Sequence, residues 1–120
     1  MTQHDDRVRM RHALDAARKA VTSTASWKRE DLHLDDLSTQ GLIRLLEVIG
    51  EAANSVSPQM QLAHPAVPWR KLVGLRNRLI HGYFDVNLDI LWDTIRSDLP
   101  DLIRTLEQAL EPKGGSGGLR

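Results

Sequence analysis

Apolar residues in this chain recur at three- and four-residue steps in every long segment, and strict two-residue alternation is absent. That spacing builds amphipathic helices and excludes a half-buried sheet. Met10, Ala13, Leu14, Ala17, Val21 and Thr24 mark one stripe over about 6–26, with Asp5 or Asp6 placed to cap its start. Leu42, Leu45, Leu46, Ile49, Ala52, Ala53 and Val56 mark a second, entered through Ser38 or Thr39 and stopped by Pro58. A third begins near Pro68 or Trp69, because proline suits a first helical turn, and carries Trp69, Leu72, Val73, Leu79 and Ile80. The fourth runs from about Leu88 to Leu110. Pro100 inside it removes a backbone hydrogen bond and is expected to kink or split it. Ala25 to Thr39 is polar and aperiodic, with room for a short turn at 31–37, and Ser57 to Pro68 reads as a loop. The expected fold is all-α, an up-down bundle of four main helices joined by short connections.

The chain has 120 residues, enough for one domain. The domain is expected over 1–111, followed by a flexible Gly-rich tail over 112–120. The absence of Cys excludes disulfides, thiolate nucleophiles, Cys-ligated zinc and iron–sulfur clusters. Apolar runs are far shorter than the ~20 residues that span a bilayer, so no membrane association is expected. Met1 to Met10 is polar and charged, without the apolar core of a signal peptide, which makes the cytoplasm the expected compartment.

A formal net charge of zero hides an uneven distribution. Residues 70–83 hold Arg70, Lys71, Arg76 and Arg78 and no acid, whereas 84–111 hold seven acids against Arg96 and Arg104. A whole-protein grip on nucleic acid is not expected. A local anion site around 70–83 is compatible with this pattern, as is a solvated helix face.

Chemistry-bearing residues are densest in Gly74-Leu75-Arg76-Asn77-Arg78-Leu79-Ile80-His81-Gly82-Tyr83. On one helix Arg76 and Tyr83 would share a face, and Asn77 and His81 would be neighbours. His81 would lie about 140° round from Arg76 at about 100° per residue, so an ideal helix does not aim both at one point. Three solutions are open: the helix ends or distorts near Gly82, the reach of arginine closes the gap, or a second subunit completes the site. Histidine exchanges protons near neutrality, and arginine stabilises a phosphoryl centre with a planar fork of donors. Together they suit metal-free RNA cleavage that leaves a 2′,3′-cyclic phosphate. The structural alternative is that His81 caps a helix C-terminus and that Arg76 and Arg78 pair with the acidic last helix.

Other constellations carry less. His4, His12, His33 and His64 are scattered, and no metal-ligand spacing, phosphate loop or nucleophile elbow occurs. Glu47 and Glu51, four apart on the second helix, are either an orienting pair or one solvated residue and one partner of a base on the third helix. Arg7, Arg9 and Arg11 read as a solvated first turn.

Leu45-Leu46-Glu47-Val48-Ile49-Gly50-Glu51-Ala52, Pro65 with Val67-Pro68-Trp69, the segment 74–83, Trp92, and Asp98-Leu99-Pro100-Asp101-Leu102 together resemble the HepT-like branch of the HEPN superfamily over about 6–110. Its Arg-x4-His-x-Tyr motif is met by Arg76, His81 and Tyr83. The resemblance implies a four- or five-helix bundle that homodimerises, with the motifs of two subunits facing across a cleft. It implies a ribonuclease toxin with Arg76 and His81 catalytic, and with Asn77, Arg78 and Glu51 binding substrate or supporting the site. RNA targets in the family include tRNA. The partner would be an MntA-like nucleotidyltransferase antitoxin that silences the toxin by transferring AMP to Tyr83. Neither metal nor cofactor is implied. The competing expectation is a non-catalytic helical scaffold that binds a nucleotidyltransferase or a nucleotide.

Overall fold

A computed structural model describes residues 3–81 and 85–111. The first stripe forms α1 (Gln3–Ser23), which buries Met10, Ala13, Leu14, Ala17 and Ala20. Asp5 and Asp6 lie in its first turn rather than at the cap. Asp6 is almost fully buried, and its carboxylate accepts from the Ser57 backbone N–H at 2.8 Å and from the Ser57 hydroxyl at 2.6 Å. It therefore satisfies a turn 51 residues away instead of its own helix.

The second stripe forms α2 (Leu37–Asn54), with Leu42, Leu46, Ile49, Gly50 and Ala53 buried. Its N-cap is Asp36, not Ser38 or Thr39, and no side chain caps it. Thr39 is inside the helix and fully buried, and its hydroxyl accepts from the His33 N–H at 3.2 Å, which ties down the preceding turn. A 3₁₀ turn, Arg29–Asp31, lies within the connection.

The segment expected as a loop holds a short helix, α3 (Pro58–Ala63). Ser57 caps it by accepting from the Met60 N–H at 3.3 Å, and Pro58 occupies its first turn. Pro58 thus starts a helix, while α2 has already ended at Asn54.

The third stripe is not one helix. It divides at Gly74 into α4 (Trp69–Val73) and α5 (Leu75–Leu79). A two-residue antiparallel ladder follows, β1 (Ile80–His81) with β2 (Asp85–Val86), pairing Ile80 with Val86 and His81 with Asp85. The sequence pattern held no sign of it. Such a pair is too short to show alternation, and it adds no layer to the all-α fold.

The last stripe forms α6 (Leu88–Asp93), capped by the Asn87 side chain, and α7 (Leu99–Leu110). A π-helical turn, Thr94–Asp98, joins them immediately before Pro100. Pro100 has no N–H, and its ring crowds the carbonyl four residues back, so the ladder widens there instead of breaking. The π turn carries Arg96, whose guanidinium stacks 4.5 Å over the Trp92 ring and donates to the Thr24 carbonyl at the end of α1.

α1 packs against α2 and α7, and α2 packs in turn against α4 and α5. One continuous core of Leu, Ile, Ala and Met side chains runs through these contacts. Gly50 sits at the α2–α4 crossing. A Cβ built there would lie 3.0 Å from the Leu72 carbonyl oxygen, so glycine permits the approach of the two backbones. Among the described residues no helix is long and apolar enough to cross a membrane.

Candidate active site

Helix α5 is anchored by Leu75 and Leu79, four apart and both buried. With that face committed to the core, Arg76, Asn77 and Arg78 are left exposed. Arg76 turns towards α2, and its Nε–H donates to Glu47 Oε2 at 3.2 Å. The Glu47 side chain is 20% exposed and that of Arg76 62%. The pair orients the guanidinium while using one of its five donors. Arg44 extends the cluster, reaching Glu47 at 3.9 Å and Glu51 at 3.4 Å.

The two carboxylates thus divide their roles. Glu47 meets the basic third limb and Glu51 pairs with Arg44 within α2. Glu51 is the acid named beside Arg76 from sequence, and Glu47 is the one the fold brings to it. The signal was available in Gly50: a small residue in a helix interior marks the face where another backbone comes close, and Glu47 lies three residues before it on that face.

Arg78 makes no ion pair among the described residues. The contact with the acidic last limb is made by Lys71, which lies 3.0 Å from Asp98, rather than by Arg76 or Arg78. Arg7 is not simply solvated either, since it donates to the Leu110 carbonyl at 2.6 Å and closes the end of α7.

The helix carrying Arg76 stops at Leu79, whose carbonyl accepts from the Asn87 N–H at 2.9 Å across the neck of the hairpin. His81 is therefore on β1, two residues beyond the helix, with its Cα opposite Asp85. Of the three solutions left open by the helical geometry, the early end of the helix holds, and it comes before Gly82. The four-residue helical neighbourhood of Asn77 and His81 does not form because the helix ends before His81. The expected shared face of Arg76 and Tyr83 falls on a residue outside the described ones. The His81 side chain and the whole of Tyr83 lie outside the described residues, as does the tail 112–120. Among the described residues no group of three His, Asp or Glu side chains is placed to hold a metal ion.

An all-α bundle with an arginine-rich helix leading to a histidine on a short hairpin defines a class of small helical proteins with a local basic motif. The model of the family described as ribonuclease HepT-like matches residues 10–109, and the chain belongs to that family, within the HEPN superfamily. It is similar to a Caldanaerobacter subterraneus subsp. tengcongensis protein provisionally named an RNase, with 32% identity over 85% of this chain and 91% of the relative. A Thermococcus cleftensis protein provisionally named ribonuclease HepT is 40% identical over 61% of this chain and 66% of its own length. A Methanocaldococcus jannaschii protein, also provisionally named an RNase, is 30% identical over 89% of this chain and 98% of the relative. No solved structure matches. Family membership places the chain among ribonucleases.

Proposed function

We propose that this chain is a metal-independent endoribonuclease toxin that acts as a homodimer and is silenced by a nucleotidyltransferase antitoxin. The observation that carries the reading is the exposed Arg76 guanidinium, oriented by Glu47 at 3.2 Å, at the head of the motif that ends in His81 and Tyr83.

In this mechanism the 2′-oxygen of the substrate attacks the adjacent phosphorus and the bond to the 5′-oxygen breaks. His81 accepts the 2′-hydroxyl proton or returns one to the leaving 5′-oxygen, which yields a 2′,3′-cyclic phosphate and a free 5′-hydroxyl. Arg76 stabilises the charge on the crowded phosphate. Two motifs facing across a two-fold axis would place both protonation states of histidine in one cleft. Asn77 and Arg78, exposed beside Arg76, bind the substrate backbone.

The test is cleavage of purified RNA by the purified protein in EDTA, with products analysed for cyclic phosphate termini. Activity that persists in EDTA and falls by about 10²–10⁴ in His81→Ala supports the reading. Loss of activity on chelation, restored by magnesium or manganese, overturns the metal-free mechanism. Sedimentation at micromolar concentration that gives only the 13.5 kDa monomer overturns the dimer.

A further inference from the structure

Between α4–α5 and the π turn with α7 lies a cavity of about 170 Å³. Its walls are apolar where Leu72, Leu75, Leu99 and Leu102 meet, and all four are core residues that hold the shape fixed. The volume is below the roughly 300–1,000 Å³ of pockets for drug-sized ligands, so it suits one ring system and not a larger molecule.

The polar atoms that line it divide by type. Thr94 uses its hydroxyl proton on the Ile90 carbonyl at 2.7 Å, and Thr105 uses its own on the Leu102 carbonyl at 3.0 Å. Both hydroxyl oxygens are left as acceptors. Asp98 and Asp101 add carboxylates. Each carboxylate pairs with one cation, Lys71 for Asp98 and Arg104 for Asp101, yet each offers about four lone-pair positions. The charged donors are Lys71 and Arg78. Arg78 is on the same five-residue helix as Arg76 but on the side that faces α7, whereas Arg76 faces α2. A nucleic-acid backbone that crosses α5 would therefore meet both arginines.

We infer that this cavity is a nucleobase subsite of the ribonuclease, selective for a base that carries an exocyclic amino group over uracil, with the attached phosphate on Arg78. The inference rests on the ribonuclease reading and extends it to substrate recognition. With Lys71 held by Asp98 and Arg78 given to the phosphate, the remaining polar positions are acceptors and call for N–H donors on the ligand edge. Cytosine and adenine present an amino group and guanine presents one beside its ring N–H, whereas uracil offers a single ring N–H flanked by two carbonyl oxygens. The buried Thr94 oxygen and the part-exposed Asp98 and Thr105 oxygens gain no donor from those carbonyls and repel them, which disfavours uracil.

Titration of the full chain with 5′-CMP and with 5′-UMP, followed by NMR, tests it. Both probes carry the same phosphate, so their difference reads the base alone. CMP is expected to bind at least about tenfold more tightly than UMP. Ala66→Trp, at an exposed wall position, fills the cavity and abolishes CMP binding. Thr105→Val preserves shape, removes one acceptor, and narrows the CMP–UMP gap. Arg18→Ala, which removes a positive charge from α1 outside the cavity, keeps CMP binding.

Equal binding of CMP and UMP overturns the inference, and so does CMP binding unchanged in both Ala66→Trp and Thr105→Val. If CMP does not bind and Ala66→Trp instead releases a coexpressed nucleotidyltransferase, the cavity is a protein docking point and the subsite is overturned. RNA cleavage without CMP binding removes the subsite and leaves the ribonuclease reading. CMP binding with this selectivity in a protein that cleaves no RNA upholds the selectivity of the cavity and overturns the ribonuclease reading on which its role in substrate recognition rests.

Discussion

Glu47 Oε2 accepts from Arg76 Nε at 3.2 Å, joining the middle of α2 to the start of α5 across 29 residues of sequence. Ion pairs this exposed contribute little to stability, about 0–1 kcal/mol. The value of the contact lies in orientation, since it holds the guanidinium on a helix only five residues long.

Glu47→Gln is therefore expected to unfold at nearly the wild-type temperature and to lose about tenfold in kcat, with KM changed less, because a misplaced arginine loses transition-state contacts first. Glu51→Gln, whose partner is Arg44 on its own helix, is expected to change kcat by less than twofold. Steady-state cleavage of a short RNA by the two variants checks this. Equal losses would show that Glu47 has no particular role.

Silencing is expected to act at Tyr83. Coexpression with a nucleotidyltransferase partner should add AMP to the chain, and Tyr83→Phe should remove that increment from the intact mass. The added phosphodiester is anionic and can compete with substrate phosphate for the arginines of α5. An AMP increment that survives Tyr83→Phe unchanged would overturn the assignment.

Two glycines of α2 are expected to respond in opposite directions to alanine. Gly41 has nothing within 4 Å of a built Cβ, so Gly41→Ala gains helix propensity and stabilises by about 0.5–1 kcal/mol. Gly50→Ala gains the same propensity but pushes on the Leu72 carbonyl, and a net loss of about 1–2 kcal/mol is expected. Denaturant melts of both variants test the pair, and stabilisation by Gly50→Ala would show that α4 is free to move away.

Asp6→Ala is expected to cost about 2–3 kcal/mol, because it strips two hydrogen bonds from Ser57 and leaves a backbone N–H without its acceptor. Asp6→Asn keeps one acceptor and should cost roughly half as much. The same melts read it, and a change below about 0.5 kcal/mol would mean that water replaces the carboxylate.

The apolar spacing of Leu42, Leu46, Ile49 and Ala53, or of Leu99, Leu102, Leu106 and Leu110, is a local property, and the helices built on it lie where that spacing puts them. The response to Pro100 is equally local, because the missing N–H and the ring act within one turn. The basic motif was legible for the same reason: Arg76 and Arg78 are exposed because Leu75 and Leu79 are not. Which of two similar groups acquires a partner depends on the packing of helices distant in sequence, and no local rule contains that. Glu47 instead of Glu51, Lys71 instead of Arg78, and Asp6 on Ser57 instead of on its own helix were all decided in this way. So was the end of α5. Once Leu79 is buried and its carbonyl is taken by Asn87 from across the hairpin, the chain leaves the helix before His81, and tertiary structure alone determines the path from arginine to histidine.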